Sequence, residues 1–319
     1  MPKENKSDKF LKLVNKHKET KKTEKFEGTL AEYIKILEKD NSPTKLAHKR
    51  LYDAIANHGI TRMDKSDARC SKIFGGEELR TYDYFQSKFF GMERSLAKIM
   101  RFLRSASLKG EESRQVLPLL GPVGAGKSAL MERIKTVLEE TEPMYHIEGC
   151  PIHEEPLHLI PRSLRDEFKE IYGINIEGDL CPVCRHNLKE NNNDYMSMPV
   201  VQSSFSVRGR RGVGVVPPMD ANSQDVTLLV GSEDISKLDL YSEDDPRVLS
   251  LNGAFNVGNR GIVEFVEVFK NEIEFLHTMI TATQEKAVPS PGKGAMIYFD
   301  GVILAYCNEA EWNKFKWSS

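Results

Sequence analysis

The chain has 319 residues, of which 39% are hydrophobic and 29% charged, the mix of a soluble globular protein long enough for about two domains. A formal net charge of −2 gives no overall pull toward nucleic acid or anionic lipid, and no apolar run approaches the ~20 residues of a bilayer span. Five cysteines accompany a lysine-rich Met1–Lys25 with no apolar leader, which argues against secretion and for a reducing, cytoplasmic compartment.

Met1 to Glu24 is polar, rich in Lys and Glu, and is expected to be frayed or helical only when docked. Thr29 and Glu32 have capping-box spacing, and Leu30, Ile34, Ile36 and Leu37 recur at helical intervals, so a first helix is expected there. A second is expected over Thr44 to Asn57. Together these make residues 1–80 a helical N-terminal extension without a cluster of reactive side chains. From residue 81 the pattern changes: Phe85, Phe89, Phe90 and Gly91 lead into a helix with Leu96, Ile99, Met100 and Leu103 on one side. Val116 to Leu120 is a short apolar run ending in glycine, and Ser128 to Glu140 is an amphipathic helix. That is a strand, a glycine turn and a helix. Pro118 is out of place in a central strand, where it would remove a ladder donor. The stretch at about 175–225, densest in Asn, Ser, Gly and Arg over Glu190 to Pro218, reads as an irregular insertion or hairpin in the 81–319 core. Gly261 to Phe269 and Met296 to Tyr306 read as further buried strands. The expected fold class is α/β.

The octapeptide Gly121-Pro122-Val123-Gly124-Ala125-Gly126-Lys127-Ser128 fits G-x-x-x-x-G-K-[ST] in full, and Ala129 continues it into the helix. Such glycines let main-chain N–H groups turn inward around phosphates, helped by the positive end of the following helix. Lys127 is expected on the β- and γ-phosphates and the Ser128 hydroxyl on Mg²⁺, so ATP with Mg²⁺ is the expected ligand. The alternative is a glycine turn before a helix with no ligand.

The runs FFGMERSLAKIM, LLGPVGAGKSALMERIK, EGCPIHEEPLHLIP and GAFNVGNRGIVEFVEVFK closely resemble the PrkA family, whose members are called serine protein kinases and carry an AAA+-like ATPase module. The resemblance spans Phe26 to Phe315. It implies a parallel P-loop sheet flanked by helices, cytoplasmic location, ATP binding and protein serine kinase activity. It sets Phe90 and Gly91 against the adenine and likens Gly253–Lys270 to the AAA+ stretch that ends in the Walker B acidic pair. In that alignment Val266 stands where a magnesium-supporting aspartate is normally found, and Glu267 stands at the water-activating glutamate. A valine cannot hold a metal, so Mg²⁺ would lean on Ser128, the phosphates and Glu264 or another carboxylate. Asn308, closing the strand Val302 to Cys307, resembles the sensor-1 residue that contacts the γ-phosphate or the attacking water. Glu267 and Asn308 also have plainer readings, as a polar strand end and a turn residue. PrkA chains are about twice as long as this one, so the resemblance implies an AAA+ core with the C-terminal lid and its arginine absent. Homo-oligomerisation is implied for the full-length protein.

Cys181-Pro-Val-Cys184 is a CxxC pair, and Cys150 with His153 forms a second spaced pair upstream. The four could supply a tetrahedral Zn²⁺; the alternative is reduced thiols at a helix start or turn. His153 and His158, with Glu154 and Glu155, line either an active-site entrance or a structural loop. Arg208, Arg210 and Arg211 form either a protein-docking loop or a solvated hairpin tip. Three functions remain open: an ATP-driven module, phosphoryl transfer to a protein serine, and a nucleotide-dependent interaction module that binds without hydrolysing. No HRD-x4-N, DFG or VAIK signature is present, so a kinase would have to work from the P-loop. The protein substrate is not specified by any motif.

Overall fold

The computed structural model describes Phe10 and residues 26–63, 66–72, 78–218, 225–242, 245–271, 273–292 and 296–318. The expectation for Met1–Glu24 therefore lies outside the described residues, Phe10 apart. Strand β1 (Glu27–Thr29) runs straight into helix α1 (Leu30–Leu37) through the capping box anticipated above. The Glu32 N–H donates to Thr29 Oγ1 at 3.4 Å, and the Thr29 N–H donates to Glu32 Oε2 at 2.8 Å. Helix α2 (Ala47–Ala56) follows, then an antiparallel pair, β2 (Ile60–Met63) and β3 (Leu79–Tyr82). Next come α3 (Glu93–Ser107), β4 (Leu117–Leu120), α4 (Lys127–Thr136) and β5 (Met144–Ile147). After α5 (Arg165–Tyr172) and α6 (Pro182–Glu190) lie β6 (Pro199–Ser203) and β7 (Val213–Val216). The short strands β8 (Ser232–Glu233) and β9 (Leu249–Ser250) precede β10 (Ile262–Val266) and α7 (Ile273–Gln284). The antiparallel pair β11 (Ala287–Pro289) and β12 (Met296–Tyr298) leads to β13 (Val302–Cys307) and α8 (Glu309–Ser318).

Four strands make the central sheet, in the order β4-β13-β10-β7, and every pairing is parallel. Parallel strands covered on both faces are mostly apolar, and Ile262, Val263 and Phe265 of β10 are each fully buried. Alternation along the strands feeds two cores. Val263, Phe265, Ile303 and Ala305 face one that includes Leu30, Tyr33, Ile34 and Leu37 of α1. Ile262, Val302 and Leu304 face the other, with Leu51 and Ile55 of α2, Leu103 of α3 and Leu130 and Ile134 of α4. The first helices thus share both cores with the sheet. They are also tied by polar contacts: the Ala47 N–H donates to both Asp300 carboxylate oxygens, at 3.1 and 2.9 Å, and Arg50 donates to the Arg260 carbonyl at 3.1 Å. Residues 1–80, expected to form a helical extension, also contain β1, β2 and the start of β3.

The expected irregular insertion at about 175–225 is more ordered than its composition suggests. It contains α6, β6 in a separate antiparallel sheet β1-β6-β5, and β7, a member of the central sheet. Pro118 is accommodated because β4 lies at the edge of the sheet among the described residues, pairing only with β13. The glycines of GAFNVGNRG serve close approach of main chains. A Cβ on Gly261 would lie 2.0 Å from the Gly212 carbonyl oxygen, and one on Gly253 would lie 2.4 Å from the Leu229 main chain.

Candidate nucleotide site

In an open parallel sheet, ligands bind beyond the carboxyl ends of the strands. Here β4, β10 and β13 end on one rim, and the residues that follow them are Gly121, Glu267 and Asn308. A cavity of about 330 Å³ opens at that rim, lined by Val123, Gly124, Ala125, Gly126, Lys127, Ser128, Ala129, Glu267, Tyr306, Cys307 and Asn308. Gly124 (φ 81°) and Gly126 (φ 78°) adopt left-handed conformations, and Gly126 caps α4. The loop therefore curls over the helix N-terminus, where unpaired N–H groups and the helix dipole favour an anion. Gly121 and Pro122 form the base of the loop: their carbonyl oxygens each accept from Lys127 Nζ at 2.7 Å. An ammonium has three donors, so one remains to face the cavity.

Glu267 ends β10 with φ 49°, a left-handed conformation that costs a non-glycine residue on the order of 1 kcal/mol. Its carboxylate is ion-paired with Lys270, which also lies 3.3 Å from Glu311. Asn308 both caps a helix and lines the cavity. Its Oδ1 accepts the Glu311 N–H at 2.8 Å, capping α8, and the same side chain lines the cavity. A main-chain N–H can only donate, so Oδ1 is the capping atom and the amide NH₂ is the end available to a ligand.

The metal side of the cavity is sparse. Ser128 Oγ lies 3.5 Å from the Tyr306 hydroxyl at the first turn of α4. Glu264, weighed above as a magnesium support in place of Val266, points elsewhere. It is 3% exposed and ion-paired at 2.7 Å with Lys135 of α4. Two residues before Val266 on the same face of β10, it is buried beneath the P-loop helix instead of reaching the cavity. Phe90 and Gly91 are not among the cavity-lining residues, and Phe90 is 80% exposed.

The family described as the PrkA AAA domain matches residues 28–319. The chain belongs to this family. It is 36% identical over 314 residues to a Bacillus subtilis protein called ATP-dependent protease PrkA, covering 96% of this chain and 48% of that protein. It is 34% identical over 306 residues to the Escherichia coli K12 protein called serine/threonine kinase YeaG, covering 93% of this chain and 47% of the other. The chain thus spans about half the length of the curated relatives it matches. Among solved structures, a magnesium chelatase BchI–BchD complex aligns with 67% of this chain and 51% of its own, at 16% identity and a TM-score of 0.39.

Two cavity residues of this PrkA AAA domain were not anticipated, Tyr306 and Cys307. Tyr306 interrupts an otherwise aliphatic strand and pairs in register with Leu119 and Val266, which sets it between the P-loop strand and β10. That interruption was the available signal. Cys307 is buried yet lines the cavity, and burial pushes its thiol up to about 11, away from the thiolate form.

The second group of singled-out residues sits apart from this cavity. Cys150, Cys181 and Cys184 do converge, but the fourth member is Glu154, not the expected His153. His153 adopts φ 50° and its ring packs edge-on against His146 at 4.8 Å; burial holds its pKa down at about 4. His158 joins the cluster's surroundings through Glu154. Arg208 and Arg210 are exposed on a tight hairpin tip closed by Ser206 and Arg211. No helix among the described residues is long and apolar enough to cross a membrane.

Proposed function

We propose that this chain binds Mg-ATP in the rim cavity and couples transfer of the γ-phosphoryl group to a protein substrate, with Glu267 as the base. The observation that carries this reading is the convergence, in one cavity, of the loop Val123–Ala129 with Glu267 and Asn308, contributed by three different strand ends. Main-chain N–H groups and the free Lys127 donor would hold the β- and γ-phosphates. The Asn308 amide NH₂ would donate to a γ-phosphate oxygen, and Glu267 would accept the proton of the attacking hydroxyl. Ser128 would offer magnesium its hydroxyl, and the ion, which keeps several waters, would take its other ligands from the phosphates and water. Bound there, it would neutralise charge between the β- and γ-phosphates.

The two relatives' names point to different work, an ATP-dependent protease and a serine/threonine kinase. A P-loop cavity with one base suits transfer to a protein serine or to water, and assembly of the longer protein as a cytoplasmic homo-oligomer belongs to the same proposal. One observation favours a second reading, binding without turnover: Glu267 is already ion-paired with Lys270, and position 266 offers no carboxylate. Calorimetry with Mg-ATP and phosphate release, with radiolabel transfer to added protein, separate the two. Lys127→Ala should abolish binding. Glu267→Gln should keep binding and lower turnover about 10²–10⁴-fold. Binding that survives Lys127→Ala would overturn the site itself. Wild-type binding with no turnover would select the second reading.

A further inference from the structure

Away from the nucleotide cavity, Cys150, Glu154, Cys181 and Cys184 form a buried group, none more than 5% exposed, whose ligand atoms all lie within 4.8 Å of one another. We propose that these four residues bind a structural zinc ion. Tetrahedral zinc with bonds of about 2.3 Å sets its sulfur ligands about 3.8 Å apart, so the cluster needs contraction by at most about 1 Å. Thiolates and one carboxylate in tetrahedral array suit zinc better than magnesium or calcium, which prefer oxygen throughout.

The main chain is already arranged for thiolates. The Cys184 N–H points at Cys181 Sγ and the Glu154 N–H at Cys150 Sγ, each at 3.4 Å. Cys181 is also the N-cap of α6, followed by Pro182, so both α6 sulfurs sit at the positive end of a nine-residue helix. The carboxylate is held as metal-binding carboxylates are, by hydrogen bonds to one oxygen. Glu154 Oε1 accepts the Cys181 N–H at 2.8 Å and faces His158 Nδ1 at 3.1 Å, while Oε2 turns toward Cys150 Sγ at 3.9 Å. His158 is oriented in turn by donating from Nε2 to the Glu177 carbonyl oxygen at 2.6 Å. All five cysteines are free, so no disulfide accounts for the convergence.

The ion would join the loop after β5 to the start of α6. Asn259, just before β10, already anchors that loop by donating to the Ile152 carbonyl at 3.1 Å. Zinc would therefore fasten α5 and α6 to the approach of the central sheet, a role independent of nucleotide.

The test is metal analysis of the untagged chain after exhaustive buffer exchange. About one zinc per chain is expected. Cobalt substitution should give sulfur-to-cobalt charge-transfer bands and intense tetrahedral d–d bands. Cys181→Ser with Cys184→Ser should lose the ion, and His158→Gln should weaken it about 10–100-fold in competition with a chelator. His153→Asn should leave it in place. If the cysteine variants fail to fold, the wild-type cobalt spectrum and the His153→Asn comparison still decide. A folded wild-type chain that takes up no zinc or cobalt, a Cys181–Cys184 disulfide in the reduced preparation, or metal loss on His153→Asn would overturn the proposal. Mg-ATP binding read on the same samples keeps this outcome separate from that of the nucleotide site.

Discussion

Glu264 and Lys135 give the sharpest test of how the sheet is built beneath the P-loop. Glu264 is 3% exposed on β10, and its carboxylate lies 2.7 Å from the Lys135 ammonium. Burial opposes the lysine's charge, but hydrogen bonds with Glu264 and Glu132 outweigh it and leave Lys135 above the usual lysine pKa. The two halves of the pair are not equivalent. Lys135 has a second partner, Glu132 at 2.9 Å, whose side chain is 57% exposed; among the described residues Glu264 has no other ion-pair partner. Lys135→Met therefore strands a carboxylate in the core and should cost about 3–5 kcal/mol. Glu264→Gln keeps the shape and lets Lys135 swing toward Glu132 and solvent, so about 1–2 kcal/mol is expected. In a chain of this size the first change should lower Tm by about 4–8 °C and the second by only a few degrees. Thermal and urea unfolding measure both, with Mg-ATP titration alongside. Glu264→Gln should bind Mg-ATP as the wild type does. If that variant unfolds like the wild type but loses magnesium-dependent binding, the carboxylate belongs to the metal and the ion-pair argument is wrong.

Other consequences are equally direct. Asn308→Asp keeps an oxygen to cap α8 but removes the NH₂ donor, so stability should hold while turnover falls; Asn308→Ala should lose both, with about 1 kcal/mol of stability gone. Equal loss of stability in the two would show that capping does not depend on Oδ1. Gly261→Ala would drive a methyl group to 2.0 Å from the Gly212 carbonyl, so a loss of at least about 1–3 kcal/mol is expected in denaturant melts, and a wild-type midpoint would refute the close approach. His48 is 5% exposed, and burial, with Lys286 nearby, depresses its pKa to about 3. The unfolded chain gains this proton near pH 6.5 and the folded chain only near pH 3, so stability drops as the pH is lowered through that window, by about 1.4 kcal/mol per unit. His48→Leu should remove that slope. Parallel stability–pH curves for wild type and variant would count against a neutral buried imidazole.

The parts of this molecule that were legible in its sequence are those set by local constraints. The P-loop, its flanking strand and helix, and the capping box at Thr29 each lie within a few consecutive residues whose chemistry dictates the backbone. Strand β7 was not legible. Val213–Val216 is four residues long, contains Gly214 and sits in a polar stretch, and its place is decided by pairing with β10. Gly214 is there because a Cβ would lie 2.1 Å from the Ala254 carbonyl oxygen, a contact between segments far apart in sequence. The fourth member of the cysteine cluster failed for a different reason. Ligand spacing favours histidine, but the left-handed turn at His153 sends that ring to His146 and presents the next residue, Glu154, to the sulfurs.

The same distinction bears on Glu267 and Asn308, which resemblance identified one at a time and the structure joins. Asn308 Oδ1 holds the Glu311 N–H, the Glu311 carboxylate reaches Lys270, and Lys270 is ion-paired with Glu267. The candidate base and the candidate γ-phosphate donor are therefore linked through the first turn of α8 as well as through the sheet. A single ammonium shared by two carboxylates cannot hold both at full strength, so a shift of α8 that changes the Lys270–Glu311 distance must also change the counter-charge on Glu267. The strained φ of 49° fixes where the Glu267 main chain sits, while the ion pair with Lys270 holds its carboxylate. Lys270, on the surface side of the pair, thus ties Glu267 to the first turn of α8 without itself lining the cavity.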